Sequence, residues 1–139
     1  MILGLGVDLV EVSGFAAQLA SPGTRFARSF SAAEARLAAR RAQSTGQPEA
    51  MHLAARWAGK EAFIKAWSNA LLGRAPVLDH VDLAEVEVLS DAYQRPLIEL
   101  SGAVRKAFAG SVPGADIRVS LSHDGGYALA QVIVTAEPA

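Results

Sequence analysis

The 139-residue chain contains no cysteine. That removes disulfide frameworks, thiol nucleophiles, thiolate zinc sites and iron–sulfur clusters in one step, so any metal must sit on oxygen or histidine. No apolar stretch approaches the roughly 20 residues that cross a bilayer, and the start, Met1-Ile2-Leu3-Gly4, has no basic flank of the signal-peptide kind. These absences predict a soluble, cytoplasmic protein without a membrane partner. Aromatic residues make up only 6%, and 28 alanines account for much of the 51% hydrophobic content, leaving about 43 larger apolar side chains. A short chain with so thin a core exposes much of its surface. Burial against further copies of itself is the natural remedy.

Net charge is nearly nil, with 13 Lys and Arg against 14 Asp and Glu, and no nucleic-acid partner is expected of such a balance. The balance is uneven along the chain. Residues 25–65 carry eight basic side chains against Glu34, Glu49 and Glu61, a net of +5, whereas residues 66–139 carry five basic and nine acidic ones, a net of -4. The basic segment is either a solvated set of helix faces or a docking surface for an anionic partner. The length favours one domain over residues 1–139.

Ile2 to Val10 reads as a strand with Asp8 at its end, and Gly4 and Gly6 give a backbone or ligand room to approach. A short helix follows over Ser13 to Ala20. Ser31 and Glu34 form a capping box that opens a helix to about Arg41. The polar stretch 43–48 is expected to be a mobile loop. From Glu49 to Ser68 the spacing predicts the longest helix, with Leu53, Trp57 and Ile64 on one stripe and Ala55, Ala58, Ala62 and Ala66 on a flat opposite side. Alternation predicts a strand over Val81 to Leu89, a second over Pro96 to Leu100, and a helix capped by Ser101 that ends near Gly110. Ile117 to Ser122 and Tyr127 to Thr135 form a hairpin. The order implies an α+β fold, a largely antiparallel sheet packed against a long helix.

Three elements carry candidate chemistry. Gly4-Leu5-Gly6 lacks the third glycine of a dinucleotide fingerprint, and no P-loop is present. What remains is Asp8, either a turn-forming acid or a ligand. The segment from Arg56 to Lys65 holds three basic groups and one carboxylate: Arg56, Lys60, Lys65 and Glu61. Glu61 and Lys65 are four apart, so an exposed helical ion pair is the bland alternative. The sharper reading is a phosphorylated ligand with a hard cation, since Mg²⁺ takes a couple of carboxylates and completes its shell with water and phosphate oxygens. His123, in Ser120-Leu121-Ser122-His123-Asp124, is either a turn histidine or a phosphate contact. No nucleophile elbow supports a hydrolase triad there. His52 and His80 read as surface or structural residues.

Taken in order, Gly4 to Val10, Arg25-Phe26-Ala27, Arg56 to Ala66, Arg95-Pro96 and Ser120 to His123 resemble the holo-[acyl-carrier-protein] synthase family, the small phosphopantetheinyl transferases. The resemblance covers nearly the whole chain; 36–49 matches least, and Ser13-Gly14 stands where many members carry a basic residue. It implies transfer of 4′-phosphopantetheine from coenzyme A to a serine of apo acyl carrier protein, dependent on Mg²⁺ and releasing adenosine 3′,5′-bisphosphate. It also implies a homotrimer with active sites at subunit interfaces. Asp8, Glu61 and Lys65 would be catalytic, with Asp8 and Glu61 holding the metal. Arg56, Lys65, Arg95, Pro96 and His123 would bind coenzyme A, Arg56 and His123 from opposite sides of an interface. Arg25 and Arg28 would dock the carrier. A non-catalytic module binding coenzyme A or a nucleotide is the rival, and an assembly protein a more distant one.

Overall fold

The computed structural model describes residues 1–138. Its elements follow as β1 (Ile2–Glu11), α1 (Val12–Ala20), α2 (Ala32–Thr45), α3 (Glu49–Ala70), β2 (Val86–Ser90), β3 (Pro96–Leu100), α4 (Gly102–Ser111), β4 (Asp116–Asp124) and β5 (Tyr127–Thr135), with single 3₁₀ turns at Ala27–Ser29 and Leu83–Glu85. One sheet has the order β1-β5-β4, and β2 pairs with β3 in a second. All pairings are antiparallel. The architecture is α+β, as the order of elements implies.

The 22-residue helix α3 is buried almost all round, from His52 to Lys60 and again at Ala62, Phe63, Ala66 and Trp67. It is the central element of the fold, and its buried His52, Arg56 and Lys60 need partners there. The first sheet lies against it, and the reason is steric. Alternation sends Gly4, Gly6 and Asp8 to one face of β1. A side chain at Gly4 would collide with the Ala66 carbonyl and Ala70 amide, and one at Gly6 with the Ala62 carbonyl and Ala66 amide. The room made by these glycines is therefore filled by the helix backbone, not by a ligand. The strand also continues to Glu11, three residues past Asp8.

Three further expectations change. Helix α2 runs on to Thr45 and closes on Gly46, which adopts the left-handed conformation (φ 71°) that glycine tolerates. Little of the supposed 43–48 loop remains. Strand β2 begins only at Val86, because Asp82 turns the chain by accepting from the Ala84 amide and starts the 3₁₀ turn instead. Ser101 stands at the N-terminus of α4 without a side-chain cap; its own amide donates to the Glu85 carbonyl.

Every Phe and Trp lies in one of two aromatic groups. Phe15, Phe26, Phe30 and Trp57 pack at one part of α3, and Phe63, Trp67 and Phe108 at the other. Between them runs a buried ion pair. Lys60 Nζ donates to Glu34 Oε1 at 2.7 Å and to the carbonyls of Leu83 and Val86, and both side chains are fully buried. Glu34 also closes the capping box with Ser31 and accepts from the Val88 amide at 3.0 Å. Burial pushes the Lys60 amine below its ordinary value and Glu34 opposes that shift. Sequence alone counts Lys60 toward a phosphate site; the fold makes it instead a tie joining α2, α3 and β2.

Lys60→Met leaves a carboxylate buried without its partner, a change that costs about 3–5 kcal/mol. Urea unfolding of this variant should show that loss as a lower midpoint. A midpoint within experimental scatter of the wild type would remove the structural role assigned to the pair.

Candidate active site

Antiparallel passage of α3 over β1 brings Asp8 to the helix just past the Gly6 crossing. Lys65 Nζ lies 2.9 Å from Asp8 Oδ1 and 3.0 Å from the Val7 carbonyl. Lys65 therefore pairs with Asp8 across the strand–helix contact, and not with Glu61 along the helix as the bland alternative has it. Asp8 and Glu61 line one cavity of about 410 Å³, together with Phe15, Phe26 and Trp57. Burial raises the Glu61 carboxyl above its ordinary value, the charge of Asp8 raises it further, and Lys65 and Arg25 oppose both. Two carboxylates close enough to repel one another suit a divalent cation. Among the described residues no group of three or more His, Asp or Glu could cage a metal. A cation here would have to take its remaining ligands from water or from a substrate's oxygens.

Glu61 also borders a second cavity of about 590 Å³, which Arg25, Arg28, Asp79, His80 and Asp82 share. The aromatic group around Trp57 holds this part of the chain: the Phe26 ring packs at a tilt against Trp57 with centroids 4.6 Å apart, and Ser29 Oγ donates to the Arg25 carbonyl at 2.8 Å. Arg25 and Arg28 thus flank the carboxylate pair. His80, which its sequence setting does not single out, lies on the same rim because the chain from Val77 to Leu83 folds back over α3.

Arg56 and Glu61 are five residues apart, which turns them about 140° from each other around the helix axis. Arg56 consequently faces a different cavity of about 410 Å³, with Arg41, Thr45, His52, Gln94, Pro96 and His123. Its guanidinium donates from Nη1 to the His52 carbonyl at 3.0 Å, while Nε is buried without a partner. Burial lowers its ordinary value, Glu34 opposes, and Arg41 adds to the lowering. Arg56 and His123 meet within one chain, where the family resemblance sets them on opposite sides of an interface. Pro96 joins them. Arg95 does not: its Nε lies 2.6 Å from Asp91 Oδ2, and its amide donates to Asp91 Oδ1, fixing the β2–β3 turn. Those bonds hold the Asp91 carboxyl below its ordinary value.

The structure thus unites Asp8, Glu61 and Lys65, adds Arg25 and Arg28 beside them, and gathers Arg56, His123 and Pro96 elsewhere. His52, in sequence a surface or structural residue, is 7% exposed and lines the Arg56 cavity. Its position four residues before Arg56 is the signal that places both on one face of α3.

A raised carboxyl binds its proton more tightly folded than unfolded, so stability falls as pH rises through the Glu61 folded value. Glu61→Gln should abolish that fall and melt higher than wild type at neutral pH, on the order of a few degrees. Added Mg²⁺ should raise the wild-type melting temperature more than the variant's. A variant that melts no higher than wild type in metal-free buffer would sink this account of the site.

Comparison with known proteins agrees with the geometry. A profile of the 4′-phosphopantetheinyl transferase superfamily matches residues 4–132. The holo-[acyl-carrier-protein] synthase of Corynebacterium glutamicum (strain R) is 43% identical over 138 residues, covering 98% of this chain and all of that protein. That of Mycobacterium tuberculosis (strain H37Rv) is 42% identical over 135 residues, covering 97% and 98%. Among solved structures, the Chronobacterium ammoniagenes ACPS–CoA complex superposes with a TM-score of 0.87 at 43% identity, covering 97% of this chain and 98% of that one. The chain belongs to the 4′-phosphopantetheinyl transferase superfamily, in its holo-[acyl-carrier-protein] synthase branch.

Proposed function

We propose that this chain acts as one domain over residues 1–139, in the cytoplasm, and transfers 4′-phosphopantetheine from coenzyme A to a serine of apo acyl carrier protein. The observation that carries the reading is the division of labour around α3. Two carboxylates and Lys65 converge on one face, and a basic cavity opens on another. Phosphoryl transfer asks a protein chiefly to position groups and neutralise charge. The serine oxygen bonds to the phosphorus that carries pantetheine, the pyrophosphate P–O bond breaks, and adenosine 3′,5′-bisphosphate leaves. The serine proton passes to a water held at Asp8.

Asp8 and Glu61 would hold Mg²⁺. When bound, the ion supplies charge neutralisation at the pyrophosphate and its leaving oxygen. Lys65, a point charge whose flexible stem rests at Asp8, neutralises a further phosphate oxygen. Arg56 and His123 hold the nucleotide's phosphates. Arg25 and Arg28, bordering the cavity that contains Glu61, receive the acidic carrier so that its serine arrives beside the carboxylates.

Self-association completes the reading. Leu5, Val7 and Leu9 of β1, with Tyr127 and Leu129 of β5, stand 39–62% exposed on the side of the sheet turned away from α3. So continuous an apolar face marks an interaction surface. A homotrimer in which the carboxylate face of one copy meets the Arg56 cavity of the next would assemble the two halves into one site.

Incubation with coenzyme A, Mg²⁺ and apo carrier protein should place phosphopantetheine on the carrier serine, as read by mass spectrometry. In that assay Asp8→Ala should lose at least about a hundredfold in rate. An Arg25→Ala/Arg28→Ala double variant should raise KM for the carrier about tenfold while flattening its salt dependence. Near wild-type transfer by Asp8→Ala would overturn the metal reading, and an unchanged KM would overturn the docking reading. Sedimentation should find trimers for the wild type and monomers without transfer activity for Leu5→Asp/Leu9→Asp; an active wild-type monomer would end the shared-site account.

A further inference from the structure

Arg41, His52, Arg56 and His123 line the cavity beside the start of α3, and among the described residues no carboxylate lines it. The buried, unpartnered Nε of Arg56 marks a missing acceptor. His52 has no part in the transfer chemistry described above, yet its proton arrangement can be derived. The Thr45 hydroxyl has one hydrogen, donated to the Arg41 carbonyl at 2.7 Å. The same oxygen accepts from the Gln47 amide at 3.2 Å. Its 3.1 Å contact with His52 Nε2 is then a bond received from the ring. His52 is accordingly the Nε2–H tautomer, with Nδ1 the atom left to take a proton.

The groups that face this ring favour its neutral form. Arg41 comes from α2, Arg56 from the next turn of α3 and His123 from β4, while Ser90 and Gln94 on the β2–β3 side are uncharged. Burial first, then Arg56, Arg41 and His123, hold the imidazole below its ordinary value. A phosphate monoester reverses this balance. Its dianion carries close to two charges near neutral pH, compensates the guanidinium charges of Arg41 and Arg56 and adds an acceptor for an Nδ1–H. A hydroxyl or a singly charged diester does far less.

Resting on the transferase reading, we propose that His52 is a specificity residue: it takes a proton from solvent when a dianionic phosphate monoester enters the cavity, and donates Nδ1–H to it. The chain thereby distinguishes coenzyme A from its dephospho form. Reciprocity requires that the monoester then bind more weakly as His52 loses its proton.

Calorimetry of coenzyme A binding to the full chain, run near pH 7 in buffers of different ionisation enthalpy, counts the protons taken up. His52→Gln keeps an N–H for Thr45 but cannot titrate. Wild type should take up more protons than His52→Gln does, by roughly half a proton or more. With dephospho-coenzyme A the difference should vanish. Equal counts with coenzyme A, or an equal difference with both ligands, would overturn the proposal. Should His52→Gln fail to fold, NMR titration of the three histidines of the wild type decides the matter. Coenzyme A should move the His52 midpoint upward, and an unmoved midpoint rejects its role. Failure of the wild type to bind either coenzyme would instead refute the transferase reading, and this inference with it.

Discussion

The structure depends on one close approach, the crossing of β1 and α3 at Gly4 and Gly6. Hydrogen atoms in place of side chains let the strand lie directly on the helix backbone at Ala62, Ala66 and Ala70. Everything chemical on that side follows from the contact distance. Asp8 shares the inward face of β1 with the glycines, so the same crossing that seals the core delivers its carboxylate to Glu61 and Lys65. Even one added methyl would press the two elements apart and draw Asp8 away from Lys65. The strand's opposite face, with Leu5, Val7 and Leu9, supplies no polar group to the carboxylate cavity.

The second constraint is the Lys60–Glu34 pair. It lies one residue before Glu61 on α3 and anchors the helix through α2 and β2. A buried pair of this kind adds little net stability over apolar packing, but it fixes register, since neither partner can move without stranding the other. Because it pairs one charge of each sign, it leaves the +5 excess of residues 25–65 unchanged. Within that segment Arg25 and Arg28 border one cavity, and Arg41 lines another together with the buried Arg56.

Much of this was legible in the sequence, and the reasons it was legible are local. A run rich in Leu and β-branched residues revealed β1, a capping box opened α2, and spacing outlined α3; the family resemblance then joined Asp8, Glu61 and Lys65 before their geometry was known. What escaped was tertiary. Lys60 and Lys65 look alike in sequence, yet a five-residue step around the helix buries one and leaves the other at the site. Val81 to Glu85 alternates as a strand should, but an aspartate side chain at position 82 captures a nearby amide and bends the chain first. His52 gave no signal alone, because its meaning comes from Thr45, three residues before Pro48, being folded back against it.

The scarcity of aromatics has an optical consequence. Only two tryptophans are present, one in each aromatic group, and both are buried. Trp57 borders the cavity that holds Asp8 and Glu61, whereas Trp67 is tied by its indole N–H to Ser111 at the base of α4. The native chain therefore carries two fluorophores in different surroundings. With Trp67 replaced by Phe, the remaining emission comes from Trp57 and samples the polarity of the carboxylate cavity without any attached label.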